Sequence, residues 1–392
     1  MCEAVSLIRA WGESRDWCGW DPYDALNSPA AGVLSGGTRL GRRLLTQAVK
    51  LSPVNLRPLL GIRPEQNAKA IALVASAYAS LAALGDDADA RASTERWLKW
   101  LLEHDVAEGD GLAWGYHFDV QTRVFRYEKH TPNAIATSFA IQAFLDGCEH
   151  VDRDRWASAV ERAVDFLATR MVATMESGRP YFRYLPSEGE LVHNANLLAA
   201  AAIARAASVL DSRDHLDLAR EAVRTTLSDQ REDGAWPYAQ TPAFGWVDNF
   251  HTGYVLEALA HCEPQMPEVS GPLLRGLRYW DAHLFLEDGT PKFFEDRLYP
   301  VDAHCYAQAI DTWLACSRVA PEGLARAERL ARLLVLRMLD PRGHVHFQQW
   351  RVGRNRVPFV RWTTAPTFRA VARLVLERRE RLESEVQLAH MG

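Results

Sequence analysis

Apolar positions recur with the 3.6-residue period of an α-helix from about residue 66 to the end of the chain, and strict alternation is confined to brief runs such as Val345 to Trp350. Two kinds of helical segment take turns. One kind is Ala-rich and apolar nearly all round, near 67–84, 132–147, 193–210, 249–262, 302–318 and 363–377, and its small side chains let helices crowd about a common centre. The other kind lies near 91–104, 153–172, 213–229, 268–284 and 321–338. It sets Arg and Glu on one face against Leu, Val or Trp on the other, as a helix between core and solvent does. A segment near 37–50 is expected to supply the sixth amphipathic helix.

Each of the five later amphipathic segments ends in a glycine followed closely by an aromatic residue: Gly111 to Trp114, Gly178 to Phe182, Gly234 to Trp236, Gly289 to Phe293 and Gly343 to Phe347. These glycines are separated by 67, 56, 55 and 54 residues. A helical hairpin repeated at that period predicts an all-α fold, an (α/α)6 toroid or barrel of six hairpins with the apolar helices inside. Residues 37–392 are expected to form this single toroid domain, and residues 1–36 to pack on it. Within the latter, Trp17 to Asp24 gathers aromatics and carboxylates in a turn outside the repeat, so Asp21 and Asp24 are expected to cover one mouth or to join a site. The Asp86-Asp87 pair is read as a helix-capping loop, and Leu376 to Arg381 as a solvated helix end.

Composition narrows the function classes. The 45 basic and 50 acidic residues are interspersed, and a net charge of -5 offers no sustained positive field for a phosphate backbone, so nucleic acid is not an expected partner. Six cysteines at 2, 18, 148, 262, 305 and 316 show no CxxC spacing, which fits reduced thiols and a cytoplasmic setting. No run approaches the roughly 18 apolar residues of a membrane span.

The run Gln230 to Trp236 matches the Gln-x-x-Asp-Gly-x-Trp turn of terpenoid cyclases, and Asp248 to Leu256 resembles the start of an inner helix in protein prenyltransferase β-subunits. The resemblance spans the repeats from about 66 to 377 and implies an α/α toroid with its active site in the central cavity. The Asp-x-Asp-Asp acid of class II cyclases is missing. The Asp-x-Cys and His of the prenyltransferase zinc site find their counterparts in reversed order, His251 preceding Asp302, His304 and Cys305. The stretches Gly19 to Asn27 and Asp248 to Tyr254 also resemble toroid proteins linked with bacterial surface-polysaccharide synthesis. Toroids serve many sugar enzymes as well, so the fold alone does not choose a substrate.

In a toroid the N-termini of the inner helices open at one end of the cavity, which converges Asn67, His130, Asn133, His193, Asn194, Asn196, Asp248, Asn249, His251, Asp302, His304, Cys305, Arg361 and Trp362. Asn and Asp there also serve as caps. Histidines at equivalent places on four helices are not explained by capping and point to a shared site. The helix dipoles favour an anionic ligand.

The favoured chemistry is acid–base work on an anionic saccharide, of the uronate epimerase, lyase or hydrolase kind. His251 and His304 would titrate near neutrality and Asp248 and Asp302 would orient them. Substrate binding would fall to His130, Asn133, His193, Asn194, Asn249, Arg361, Trp246 and Trp362. That mechanism needs no cofactor. The alternative is a Zn²⁺ site of Asp302, His304, Cys305 and His251, in keeping with an isoprenoid enzyme. A glycan-binding toroid without turnover is the third possibility. The expected partner is a small-molecule or oligosaccharide substrate. The Ala-rich middle of the inner helices, Ala199 to Ala202, Ala258 and Ala260, offers few large aromatics for cradling a carbocation, which places the sugar enzyme first.

Overall fold

The computed structural model describes residues 1–85, 87–122, 126–187 and 189–391. Helices α1 (Cys2–Glu13), α2 (Ala31–Leu34) and α3 (Arg39–Leu51) precede an alternating series. That series runs α4 (Ala68–Ala83), α5 (Ala88–Glu103), α6 (Ala134–His150), α7 (Arg153–Arg170), α8 (His193–Leu210) and α9 (Leu216–Leu227). It continues with α10 (Asn249–Cys262), α11 (Ser270–His283), α12 (Ala303–Ala315), α13 (Gly323–Met338) and α14 (Ala365–Met391). The even-numbered helices from α4 form a ring in which each touches the next and α14 closes on α4. Ala199 to Ala202 are at most 1% exposed, and small side chains here pack helix directly against helix.

The starts of these helices are written in the sequence. Asn67, Asn133, Asp248 and Asp302 each accept a hydrogen bond from a backbone N–H in the first turn of an inner helix, and Asp87 and Asp152 do so on outer helices. Each such cap contributes about 1 kcal/mol. Asp87 thereby acts as the capping loop expected of it and also pairs with Arg9; Asp86 lies outside the described residues.

The outer ring is α5, α7, α9, α11 and α13, and its sixth place belongs to α1 rather than to the 37–50 segment. The glycine turns reveal the equivalence. A Cβ on Gly234 would lie 2.6 Å from the Arg275 carbonyl oxygen of the next outer helix, α11, and a Cβ on Gly343 would lie 2.1 Å from that of Leu7 in α1. Helix α1 can take the place because Ala4, Val5, Ile8 and Trp11 form a buried stripe, and it packs on α14. Helix α3 buries only Thr46 and Val49 and lies across the mouth of the barrel instead.

Short strand pairs decorate that mouth: β1 (Val120–Gln121) with β2 (Arg126–Tyr127), and β3 (Val172–Thr174) with β4 (Pro180–Phe182). The alternating Val345 to Trp350 run contains β6 (Gln348–Gln349), which pairs with both β5 (Val301–Asp302) and β7 (Arg354–Asn355). One turn deeper in the barrel, Arg369 bridges Glu257 at 3.0 Å and Asp311 at 3.1 Å, and Arg373 adds a contact to Asp311 at 2.8 Å. This balanced set of buried charges fills the centre below the cavity.

Candidate active site

A cavity of about 510 Å³ opens at the end of the barrel where the inner helices begin. It is walled largely by rings: Tyr23, Tyr116, Phe118, Tyr127, Tyr184, Tyr238, Trp246, Phe250, Tyr254 and Trp362. Tyr78, Phe144, Tyr306 and Phe368 of the inner helices are fully buried and do not line the cavity, whereas Phe250 and Tyr254 of α10 do. Most of the other rings come from the turns and strand-like pieces that feed the mouth. Helix α3 supplies the roof through Leu40, Arg43, Leu44 and Gln47.

Asp248 and His251 form the most defined pair in the cavity. Asp248 caps α10 through Oδ1, and its Oδ2 accepts from His251 Nδ1 at 2.6 Å and from Trp246 Nε1 at 3.2 Å. A carboxylate only accepts, so Nδ1 carries the proton and Nε2 is the nitrogen left for a ligand. The ring stands against Tyr238, with centroids 4.6 Å apart, and Tyr238 stacks on Trp246.

A second polar chain crosses the wall. Lys69 Nζ lies 3.0 Å from the Tyr254 hydroxyl, which lies 2.7 Å from His304 Nε2, while His304 Nδ1 lies 2.7 Å from the Trp362 carbonyl oxygen. That carbonyl fixes the tautomer: Nδ1 donates to it, Nε2 accepts from Tyr254, and the Tyr254 oxygen accepts from Lys69. The carbonyl is free for this duty because Pro366, four residues on, has no N–H to offer. The chain turns into α14 there through a π-helical turn, Val360–Thr364.

Lys69 is 3% exposed and lies against the Tyr254 hydroxyl and the rings of Phe139 and Tyr254. Burial holds its ammonium well below the usual lysine range, with repulsion from Arg361 added. Burial likewise keeps His304 well below the ordinary histidine value, and Lys69 reinforces the effect.

The remaining expected site residues divide clearly. His251, His304, Asn194, Trp246, Arg361 and Trp362 line the cavity. Asn194 is 5% exposed and leaves its Oδ1 without a hydrogen bond. Arg361 is already engaged, forming a two-pronged ion pair with Asp21 beneath the Tyr116 ring. Asp24 is held by Arg57 at 2.6 Å, and burial raises its carboxyl to about 6. The N-terminal aspartates therefore fix basic groups from behind and offer no carboxylate to the cavity.

Asp302 also sits behind the wall. Its oxygens accept from His304 N, Trp362 Nε1 and Gln348 Nε2, and burial raises its carboxyl to about 6, so it positions His304 and Trp362 and does not face a ligand. His130 is exposed on a left-handed turn outside the cavity. Asn133 caps α6. His193 turns outward to Thr226 on α9, where burial lowers it to about 4. Asn249 ties α10 to the Leu284 carbonyl. In Asn133, His193 and Asn249 the side chain satisfies a helix end or an inner-to-outer contact, an alternative use of polar groups at such positions.

The zinc set does not assemble. Both nitrogens of His304 are taken by Tyr254 and Trp362, Asp302 is saturated, and Cys305 is fully buried with its thiol raised well above the ordinary range by burial. Among the described residues, Asp340, His344 and His346 form a group whose ligand atoms lie within 4.8 Å of one another and could hold an ion, on the turn after α13 and away from the cavity. Asp340 there also receives Arg342 Nε at 2.9 Å.

Lys69 and Tyr254 are the residues that sequence reasoning missed. Lys69 is the single charge in the otherwise apolar run Ala68 to Val74, and Tyr254 follows His251 by one helical turn. Both signals were available.

No family model matches the chain, and no curated protein matches it in sequence. Solved structures match it in fold. A sugar epimerase from a ruminal bacterium superposes with a TM-score of 0.60 at 11% identity over 80% of this chain and 88% of its own. The cellobiose 2-epimerase of Bacillus thermoamylovorans B4167 gives 0.61 at 12% identity over 80% and 88%. The GH76 α-mannanase BT2949 of Bacteroides thetaiotaomicron gives 0.62 at 10% identity over 80% and 87%. These likenesses establish the α/α toroid.

Proposed function

We propose that the protein is a carbohydrate-active enzyme that moves a proton on a saccharide at the carbon next to a carbonyl or carboxylate, as an epimerase, isomerase or lyase does. The observation that carries this reading is the Asp248–His251 pair in a cavity walled by tyrosines. Its Nε2 is left to act as a general base, and six tyrosines line the same cavity and suit a polyhydroxylated ligand. Lys69 Nζ donates to the Tyr254 hydroxyl in the same wall and keeps further hydrogens to offer a developing oxyanion or a uronate carboxylate. A hydrolase working through paired carboxylates is disfavoured, because Asp248 is committed to His251 and Asp302 lies behind the wall. The names of the structural neighbours, a sugar epimerase and a cellobiose 2-epimerase, support the same class. All six cysteines are free, which supports a cytoplasmic setting.

Incubation in D₂O with reducing sugars and uronic-acid oligosaccharides tests the proposal. Deuterium should enter the substrate beside its carbonyl or carboxylate, and His251→Gln should stop it. Saccharides that bind without exchanging would replace the enzyme with a glycan-binding toroid. The ten rings of the wall keep an isoprenoid ligand as the second reading, to which turnover of a prenyl diphosphate in the absence of sugar exchange would give precedence.

A further inference from the structure

The roof of the cavity differs from the rest of the surface in charge and in apolar exposure. Residues 25–64 contain no Asp or Glu but include Arg39, Arg42, Arg43, Lys50, Arg57 and Arg63, in a chain whose net charge is -5. Of these only Arg57 is buried, on Asp24. Of the 15 large apolar side chains exposed among the described residues, seven fall between 33 and 59, with Val33 at 88% and Leu59 at 85%. Soluble proteins scatter such side chains, and a cluster of them marks a contact surface.

The cluster is continuous. Leu40, Leu44 and Leu51 follow one stripe of α3, opposite the buried Thr46 and Val49. Ser28 Oγ donates to the Leu60 carbonyl at 2.8 Å, which holds the segment after α3 against the one before α2. Asn355 Nδ2 donates to the Ser52 carbonyl at 3.0 Å and joins the β6–β7 hairpin, whose Trp350 and Val352 are exposed beside Arg351, Arg354 and Arg356. Leucines interleaved with arginines and without carboxylates suit a layer that is apolar below and anionic above.

We propose that this roof is a docking surface for an anionic lipid bilayer, with α3 lying in the headgroup plane, its leucines against the acyl boundary and its basic groups on the phosphates. Among the described residues no helix is long and apolar enough to cross a membrane, and the proposed attachment is peripheral. A symmetric contact with a second copy is opposed by charge, because a two-fold axis would set the basic patch against itself. Leu40, Arg43 and Leu44 also line the cavity, so its mouth would open toward the bilayer and admit a saccharide displayed there. That last consequence rests on the saccharide reading; the docking itself does not.

Co-sedimentation of the full chain with vesicles of phosphatidylcholine, alone or mixed with phosphatidylglycerol, tests the surface without any sugar present. The protein should sediment with the anionic vesicles, far less with the neutral ones, and less as salt is added. A combined Val33→Ser, Leu34→Ser, Val54→Ser and Leu59→Ser variant touches no cavity-lining residue. It should partition at least about a hundredfold more weakly with an unchanged melting temperature. Protein that stays in solution with anionic vesicles at low salt, or a folded variant that binds as well as the parent, would overturn the proposal. A dimer in sedimentation velocity that the variant dissolves, without vesicle binding, would assign the face to a second copy.

Discussion

The division of labour between His251 and His304 follows from what each nitrogen touches. His251 spends one nitrogen on Asp248 and keeps the other for the cavity, whereas His304 spends both inside the wall. His251→Gln is accordingly expected to lower kcat by about 10²- to 10⁴-fold with little change in melting temperature. Asp248→Asn should also reduce kcat by disturbing the tautomer, but should change the melting temperature little, because Asn caps α10 as well as Asp does. Deuterium exchange and thermal melts on both variants separate the two effects. At Lys69, burial depresses the folded-state pKa, so the unfolded chain binds the extra proton between that depressed value and the ordinary lysine range. Wild-type stability should therefore rise with pH across this window relative to Lys69→Met, and at neutral pH the variant should be at least as stable. Urea midpoints of the two proteins from neutral to alkaline pH give the comparison, and parallel curves would mean that Lys69 is charged in the folded protein. Sequence patterning grouped His251, His304, Asn194, Trp246, Arg361 and Trp362 at one end of the barrel because helix N-termini share that end, and all six line the cavity. It could not tell which way His193 or Asn249 points, since a rotation of one residue about the helix turns a side chain from the cavity to the outer ring.

At the scale of the hairpin, the glycine turns are the joints that lock one outer helix to the next. Gly343 combines φ +94° with a backbone approach from Leu7 that leaves no room for a methyl group. Gly343→Ala should cost on the order of 3 kcal/mol, from backbone strain and from displacement of α1. Gly353 has φ +84° but open space around it, so Gly353→Ala should cost only about 1 kcal/mol. Urea denaturation of the two variants isolates the contribution of the close approach, and equal losses would show that α1 yields without cost. The period of these turns made five of the six hairpins legible. The sixth was misassigned because α1 and α3 are both amphipathic, and amphipathicity records that a helix has two faces without saying which neighbour meets the apolar one. Only the position of Leu7 against Gly343, 336 residues apart in sequence, distinguishes them.

The whole molecule keeps several histidines neutral in a core that also holds raised carboxyls, and the balance between the two sets its response to acid. Burial lowers His117, His193 and His344 to about 4, so at pH 5 they are neutral in the folded protein and charged in the unfolded chain. Each makes unfolding take up a proton, and stability falls by about 1.4 kcal/mol per pH unit per histidine within that window. Asp24 and Asp302, raised to about 6 by burial, act oppositely, since at pH 5 they are protonated when folded and ionised when unfolded. Three histidines outweigh these two aspartates; His261, His304 and His346, which burial also keeps neutral, add to the histidine side, and Asp229, Asp311 and Glu380, whose carboxyls burial also raises, add to the other. The denaturation midpoint should therefore decline from pH 7 to pH 5 and more slowly than the histidines alone would dictate. A flat or rising midpoint over that range would mean that the carboxyls govern. Asp302→Asn should steepen the decline, because it removes one of the carboxyls that take up a proton in the folded state.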